Sequence, residues 1–211
     1  MNIVVLISGS GSNLQAILDA CRQGRVAGKV RGVLSNKADA YGLERARQAG
    51  VPVAVVSHQE YPDRASFDRV MMSRIDGWEP DVVVLAGFMR ILTPEFVQHF
   101  EGRLLNIHPS LLPLYKGLHT HRRVLAAGDR LHGCSVHYVN AELDGGPVVA
   151  QAVIRVQAND NEQTLSERVH KQEHRLYPLV LSWLASGRLA WRDGQPVLDG
   201  HAVSQPLQLM F

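Results

Sequence analysis

The chain has 211 residues, 45% of them hydrophobic, and a formal net charge of +2. That length suits one domain with a sizeable core. So small a charge gives no reason to invoke a long nucleic acid or an anionic membrane, and any bound anion should be small and held locally. Cys21 and Cys134 lack CxxC spacing, so neither a zinc site nor a disulfide framework is indicated. The first apolar run is too short to span a membrane and lacks the basic start of a signal peptide, so a soluble, cytoplasmic protein is expected.

Asn2 to Ile7 is a continuous apolar run, rich in β-branched residues, that reads as a strand buried on both faces of a parallel sheet. After a glycine-rich turn, Leu14, Ile17 and Leu18 have the spacing of an amphipathic helix, predicted over Asn13 to Arg22. Strands follow at Val30 to Leu34 and Val53 to Val56, around a helix from Tyr41 to Ala49 that stops at Gly50. A helix over Arg64 to Ile75, a strand over Asp81 to Ala86, a short helix over Pro94 to Phe100 and a strand over Leu104 to Ile107 continue the alternation. Such alternation implies a Rossmann-like α/β fold, a mostly parallel twisted sheet with helices on both faces.

The pattern then changes. Leu111 to Thr120, with its proline and glycine, reads as a covering loop before a helix from His121 to Ala127. Cys134 to Val139 and Pro147 to Val156 read as a strand pair joined by Asn140 to Gly146, which would make the sheet mixed. A long helix follows from about Thr164 to Ala185. A short hairpin turns at Asp193-Gly194, between Leu189 to Trp191 and Pro196 to Leu198. The polar tail gives no periodicity from which to assign an element.

Four segments carry chemistry-bearing residues. Ser8-Gly9-Ser10-Gly11-Ser12-Asn13 opens the first helix, where backbone N–H groups can cradle a phosphate; the alternative is a plain strand-to-helix turn. It is not the GxGxxG fingerprint, because Leu14 stands at its third position, and it lacks the Gly-Lys-Ser/Thr of a Walker loop, so a dinucleotide is disfavoured. Gly87 to Leu92 lies at the carboxyl edge of the sheet, where Met89, Ile91 and Leu92 would form an apolar wall for a flat ring, unless they only pack the strand end. Asn106 and His108, two apart in an extended segment, project to one side. With Asp144 in Leu143-Asp144-Gly145-Gly146-Pro147 they supply an oxyanion donor, a proton shuttle and a carboxylate, which suggests acyl-type transfer. His170, Glu173 and His174 share one face of the last helix; that face reads as solvated, with Glu173 as the alternative hydroxyl-binding carboxylate. His119-Thr120-His121 lacks a third ligand at metal spacing and reads as local hydrogen bonding, so no metal is expected.

Together, these motifs closely resemble the phosphoribosylglycinamide formyltransferases of purine biosynthesis. The shared segments are Ile-Ser-Gly-Ser-Gly-Ser-Asn-Leu, Ala86 to Leu92, Asn106 to Pro113, Gly117 to His121, Leu143 to Pro147 and Gln172-Glu173-His174. The resemblance implies formyl transfer from 10-formyltetrahydrofolate, as co-substrate, to the amine of glycinamide ribonucleotide. It makes Asn106, His108 and Asp144 the catalytic trio and Gly11, Ser12 and Asn13 the phosphate site, with Glu173 on the ribose and His170 a weaker candidate. It puts the folate against Arg64, Met89, Arg90, Ile91 and Leu92, with Asn106 and the loop of Asn140, Ala141, Glu142, Leu143 and Asp144 at its pterin end. It also implies a single domain over 1–200, with a nucleotide-binding half (1–105) and a catalytic, folate-binding half (106–200), then a polar tail (201–211). Lys116 stands where many relatives carry proline. The oligomeric state is left open, a homodimer included.

Four rival readings fall into three classes. Formyltetrahydrofolate deformylase normally carries an additional N-terminal domain, whereas the first strand here starts at residue 2, and methionyl-tRNA formyltransferase needs a further domain and a basic surface. A binding protein without turnover and a nicotinamide-dependent oxidoreductase are the other two classes.

Overall fold

The computed structural model describes all 211 residues. The run Asn2–Ile7 forms β1, whose last five residues are buried. Ser12–Arg22 forms α1, Lys29–Ser35 β2, Tyr41–Gln48 α2 and Val53–Val55 β3. A single 3-10 turn at His58–Glu60, which the sequence did not suggest, precedes α3 (Arg64–Asp76), β4 (Val82–Leu85), α4 (Pro94–His99) and β5 (Leu104–His108). Local chemistry starts these helices: Asp63 accepts the Ser66 N–H ahead of α3, and Thr93 accepts the Phe96 N–H ahead of α4, with Pro94 in its first turn.

The second half contains α5 (Thr120–Ala127), β6 (Leu131–Tyr138), β7 (Val148–Arg155), α6 (Glu162–Ala185), β8 (Leu189–Arg192) and β9 (Gln195–Leu198). β6 starts three residues before the expected Cys134, because antiparallel pairing with β7 carries the ladder out to Leu131↔Arg155. α6 starts at Glu162, where Asn161 and Thr164 form a reciprocal capping box. The tail is more structured than its polarity suggests. His201–Ala202 (β10) joins β8 and β9 in a small antiparallel sheet, and Leu207–Leu209 (β11) pairs with β7 at the edge of the main sheet. Main-chain hydrogen bonding to an open edge requires no hydrophobic period, so sequence pattern gave no notice of it.

The main sheet has the order β11-β7-β6-β5-β4-β1-β2-β3, with β1 to β5 mutually parallel and β6 antiparallel to β5. Its two faces are covered differently. On one, Ile3, Val5, Ile7, Leu105 and Ile107 pack with residues of α1 and α6 in a cluster of 34 buried side chains. On the other, Val4, Leu6, Val83, Leu85 and Leu104 pack against Phe67, Met71 and Ile75 of α3 and Phe96 of α4 in a cluster of 14. Leu104, Asn106 and His108 alternate onto this second face. The smaller cluster ends at Leu104, so the next two positions of β5 bear polar groups beyond its edge.

Candidate active site

The strand order reverses between β1 and β4, and a cleft of about 290 Å³ opens there, lined by Ser8 to Asn13, Ala86, Gly87, Met89, Ile107, Pro109, His170 and Glu173. Crevices at such switch points are the usual ligand sites of doubly wound sheets. Gly11 has φ 70°, and a Cβ there would lie 2.6 Å from the Gly42 Cα, so the turn into α1 requires glycine. No side chain caps α1, and its first turn carries no acidic residue, which leaves its N–H groups directed at an incoming anion. A larger hollow of about 740 Å³, near the start of β2, holds none of the candidate residues.

Glu173 does not face solvent as the helical pattern suggested. It is buried and accepts a 2.8 Å hydrogen bond from Asn13 Nδ2, and burial holds its carboxyl pKa above the ordinary value. His170 lies exposed at the rim of the same cleft. All five residues assigned to the nucleotide are therefore gathered in one place.

The catalytic candidates converge on the second face of the sheet. Register pairs Asn106 with His137 and His108 with Ser135 across β5 and β6. The loop after β6 folds back over this face. Gly146 makes that return possible, since a Cβ there would come within 1.8 Å of the Tyr138 carbonyl. Asp144 Oδ2 lies 3.4 Å from His108 Nδ1 and accepts the Gly117 N–H at 2.8 Å. His108 Nε2 donates to the Tyr115 carbonyl at 3.0 Å. Both ring nitrogens thus face oxygens, and only the imidazolium offers a proton to each.

His137 is the functional side chain that sequence reasoning missed. Burial pushes its pKa down to about 4, so the ring is neutral. Its Nδ1 donates to the Tyr138 carbonyl at 3.0 Å, so Nε2 carries the lone pair and accepts from Asn106 Nδ2 at 3.1 Å. The signal was present. Ser135-x-His137 is a polar alternation within an apolar strand, matching Asn106-x-His108. Ser135 in turn accepts the Leu112 N–H at 3.0 Å and donates to the Ser110 carbonyl at 2.7 Å, anchoring the start of the covering loop.

That loop is tied down on its outer side. Lys116 Nζ meets Glu142 Oε1 at 2.6 Å, and Arg123 Nη1 donates to the Lys116 carbonyl at 2.7 Å. Among the folate candidates, Met89, Ile91 and Leu143 are 65%, 57% and 55% exposed, too much apolar surface for ordinary packing of a strand end. Arg64 opens α3 and is exposed, as are Asn140, Ala141 and Glu142. Arg90 and Leu92 are half-buried. Arg90 Nε and Asp68 Oδ1 are buried without hydrogen-bond partners, while the other Asp68 oxygen accepts the Thr93 N–H at 2.7 Å. In the His-x-His segment, His121 Nδ1 lies 3.0 Å from Nε2 of buried His132, so the motif is engaged in local hydrogen bonding as its pattern suggested.

Comparison with known proteins shows the family. The sequence model of the family described as formyl transferase matches residues 1–181. The chain is 60% identical to the phosphoribosylglycinamide formyltransferase of Escherichia coli (strain K12), over 92% of this chain and 95% of that one. It is 47% identical to the Haemophilus influenzae enzyme of the same name, over 95% of each chain. The solved phosphoribosylglycinamide formyltransferase of Coxiella burnetii superposes with a TM-score of 0.94 at 50% identity, covering 98% of this chain and 99% of that one. The chain belongs to the formyl transferase family.

Proposed function

We propose that the chain transfers a formyl group from 10-formyltetrahydrofolate to the amine of glycinamide ribonucleotide, giving the N-formyl product and tetrahydrofolate in purine biosynthesis. The observation that carries this reading is Asp144 Oδ2 at 3.4 Å from His108 Nδ1, with Asn106 two strand positions from His108 on the same face. The phosphate sits at the start of α1 and the ribose against Glu173. The folate lies along the exposed Met89 to Leu92 edge, with Arg64 at its outer end and residues 140–144 over its pterin. Residues 1–105 then form the nucleotide-binding half and 106–200 the catalytic half of one domain.

The neutral amine attacks the formyl carbon. Negative charge grows on the formyl oxygen, where Asn106 and His108 meet it. An amide nitrogen carries two protons, and His137 takes only one of those of Asn106, leaving the other for the substrate oxygen. Asp144 faces His108 Nδ1 and holds the ring in place, and water relays the amine proton to the leaving folate nitrogen. His108 Nε2 reaches the formyl oxygen once the Tyr115 carbonyl gives up its hydrogen bond. Holding both substrates in one cleft contributes several kcal/mol, up to about 7 to 11 for well-aligned reactants.

The test is spectrophotometric release of deformylated folate from a 10-formyl folate, with and without glycinamide ribonucleotide. Release that depends on the nucleotide is expected; release without it would make the chain a hydrolase. No release in either case would leave a binding protein. No helix is long and apolar enough to cross a membrane.

A further inference from the structure

Ser8 belongs to the glycine-rich motif, yet its hydroxyl does not serve the phosphate. It is buried, 6% exposed, and donates to Asn36 Oδ1 at 2.6 Å while accepting the Met89 N–H at 2.8 Å. Its own N–H donates to the Gly87 carbonyl at 3.2 Å. Asn36, 3% exposed, follows β2 and is not among the residues lining the cleft. The ends of three strands, β1, β2 and β4, are thus joined through one hydroxyl.

Phe88 and Leu92 pack the segment against the smaller core cluster from either side, and between them the Met89 N–H takes the Ser8 hydroxyl as its partner. Met89 is 65% exposed, so packing of its own side chain does not position its backbone, and Gly87 before it has φ 73°. On the other side, the glycine loop is fastened to α2, where Gly42 N–H donates to the Gly9 carbonyl at 3.0 Å and Arg45 Nε to the Ser10 carbonyl at 2.8 Å. A hydroxyl has one proton. When Asn36 takes it, the oxygen lone pairs are left for Met89, and each bond strengthens the other.

We infer that Asn36 and Ser8 form a positioning relay: Asn36 orients the Ser8 hydroxyl, which holds the Met89 backbone at the height where the Met89 to Leu92 edge receives the folate, in register with the phosphate cradle. Asn36 touches neither substrate and acts through Ser8. The inference rests on the assignment of the Met89 to Leu92 edge to the folate.

The experiment compares the unaltered enzyme with Asn36→Ala, Ser8→Ala and the double variant. KM is measured for each substrate, tetrahydrofolate affinity by titration calorimetry, and Tm for each protein. Asn36→Ala is expected to raise KM for 10-formyltetrahydrofolate and the Kd for tetrahydrofolate about fivefold, the usual net worth of one buried hydrogen bond. KM for glycinamide ribonucleotide and kcat stay within about twofold. The double variant is no worse than Ser8→Ala alone, as groups acting in series require. Asn36→Asp, which keeps the acceptor oxygen, restores most of the folate affinity. An Asn36→Ala enzyme with lowered Tm but unchanged folate KM and Kd would overturn the relay, and so would additive effects in the double variant. If Asn36→Ala does not fold, Ser8→Ala against Ser8→Thr reads the same relay from its other end, with the threonine expected to keep the affinity that alanine loses. Absence of formyl transfer by the unaltered enzyme would sink the proposed function instead, while tetrahydrofolate binding would still report on the relay.

Discussion

Asn106 Nδ2 and His137 Nε2, opposite each other across β5 and β6, are joined by a 3.1 Å hydrogen bond whose direction is set by the neutral state of the histidine. A carboxamide can rotate by half a turn and present its oxygen instead of its nitrogen at little steric cost. His137 prevents this here. Its lone pair accepts only from the nitrogen side, so the Asn106 nitrogen, the donor that the proposed mechanism requires, is held in place.

Replacing His137 should therefore cost turnover without touching the nucleotide. His137→Phe keeps the ring volume and removes the acceptor, and is expected to lower kcat by about 10- to 100-fold, less than the roughly 10²- to 10³-fold cost of losing an oxyanion donor outright, because Asn106 remains and is only misoriented. KM for glycinamide ribonucleotide should stay within about twofold. A kcat equal to that of the unaltered enzyme would remove His137 from the mechanism.

The His108 and Asp144 roles are tested in the same assay. His108→Ala or Asp144→Ala is expected to reduce kcat by about 10² to 10⁴ with nucleotide affinity largely intact. Asp144→Ala also frees the Gly117 N–H from its 2.8 Å partner, so this variant should show faster exchange of the Gly117 amide, which His108→Ala leaves bonded. Near-normal turnover in either variant at saturating substrates would refute the role given to that residue.

Acid should unfold the protein through its buried histidines. Burial lowers the pKa of both His132 and His137 to about 4, against 6.5 in the unfolded chain. Below pH 6.5 the unfolded state takes up protons that the folded state refuses, so stability falls as pH drops from about 6.5 to about 4. Each histidine contributes a slope approaching 1.4 kcal/mol per pH unit in that window. Urea unfolding of His132→Gln should show the slope near pH 5 reduced by about that amount; an unchanged slope would mean that His132 is not held neutral.

Glu173 predicts a conflict between stability and binding. Burial raises its pKa, so the stability associated with its neutral form is present below the unfolded pKa and is lost as pH rises through the folded value. At neutral pH, Glu173→Gln removes that cost and still accepts the Asn13 hydrogen bond. Tm is expected to rise by about 2 to 4 °C, while KM for glycinamide ribonucleotide rises at least about tenfold, as expected when a charged acceptor of ribose hydroxyls becomes neutral. A lower Tm with unaltered KM would make Glu173 a structural residue only.

Much of this protein can be read from local pattern. The run Asn2 to Ile7, the spacing of Leu14, Ile17 and Leu18 and the glycines between them state a strand, a helix and an anion cradle, because each depends on neighbours within a few residues. Asn106-x-His108 states a shared face for the same reason, period two along a strand. Tertiary structure alone decided which groups meet that face. Strand register put His137 opposite Asn106, the return of the 140–146 loop brought Asp144 to His108 across 36 positions of chain, and Ser8 joined Asn36 to Met89. These are long-range polar contacts, fixed by where strands lie rather than by any periodicity. The same holds for β11, whose pairing with β7 comes from an unfilled sheet edge.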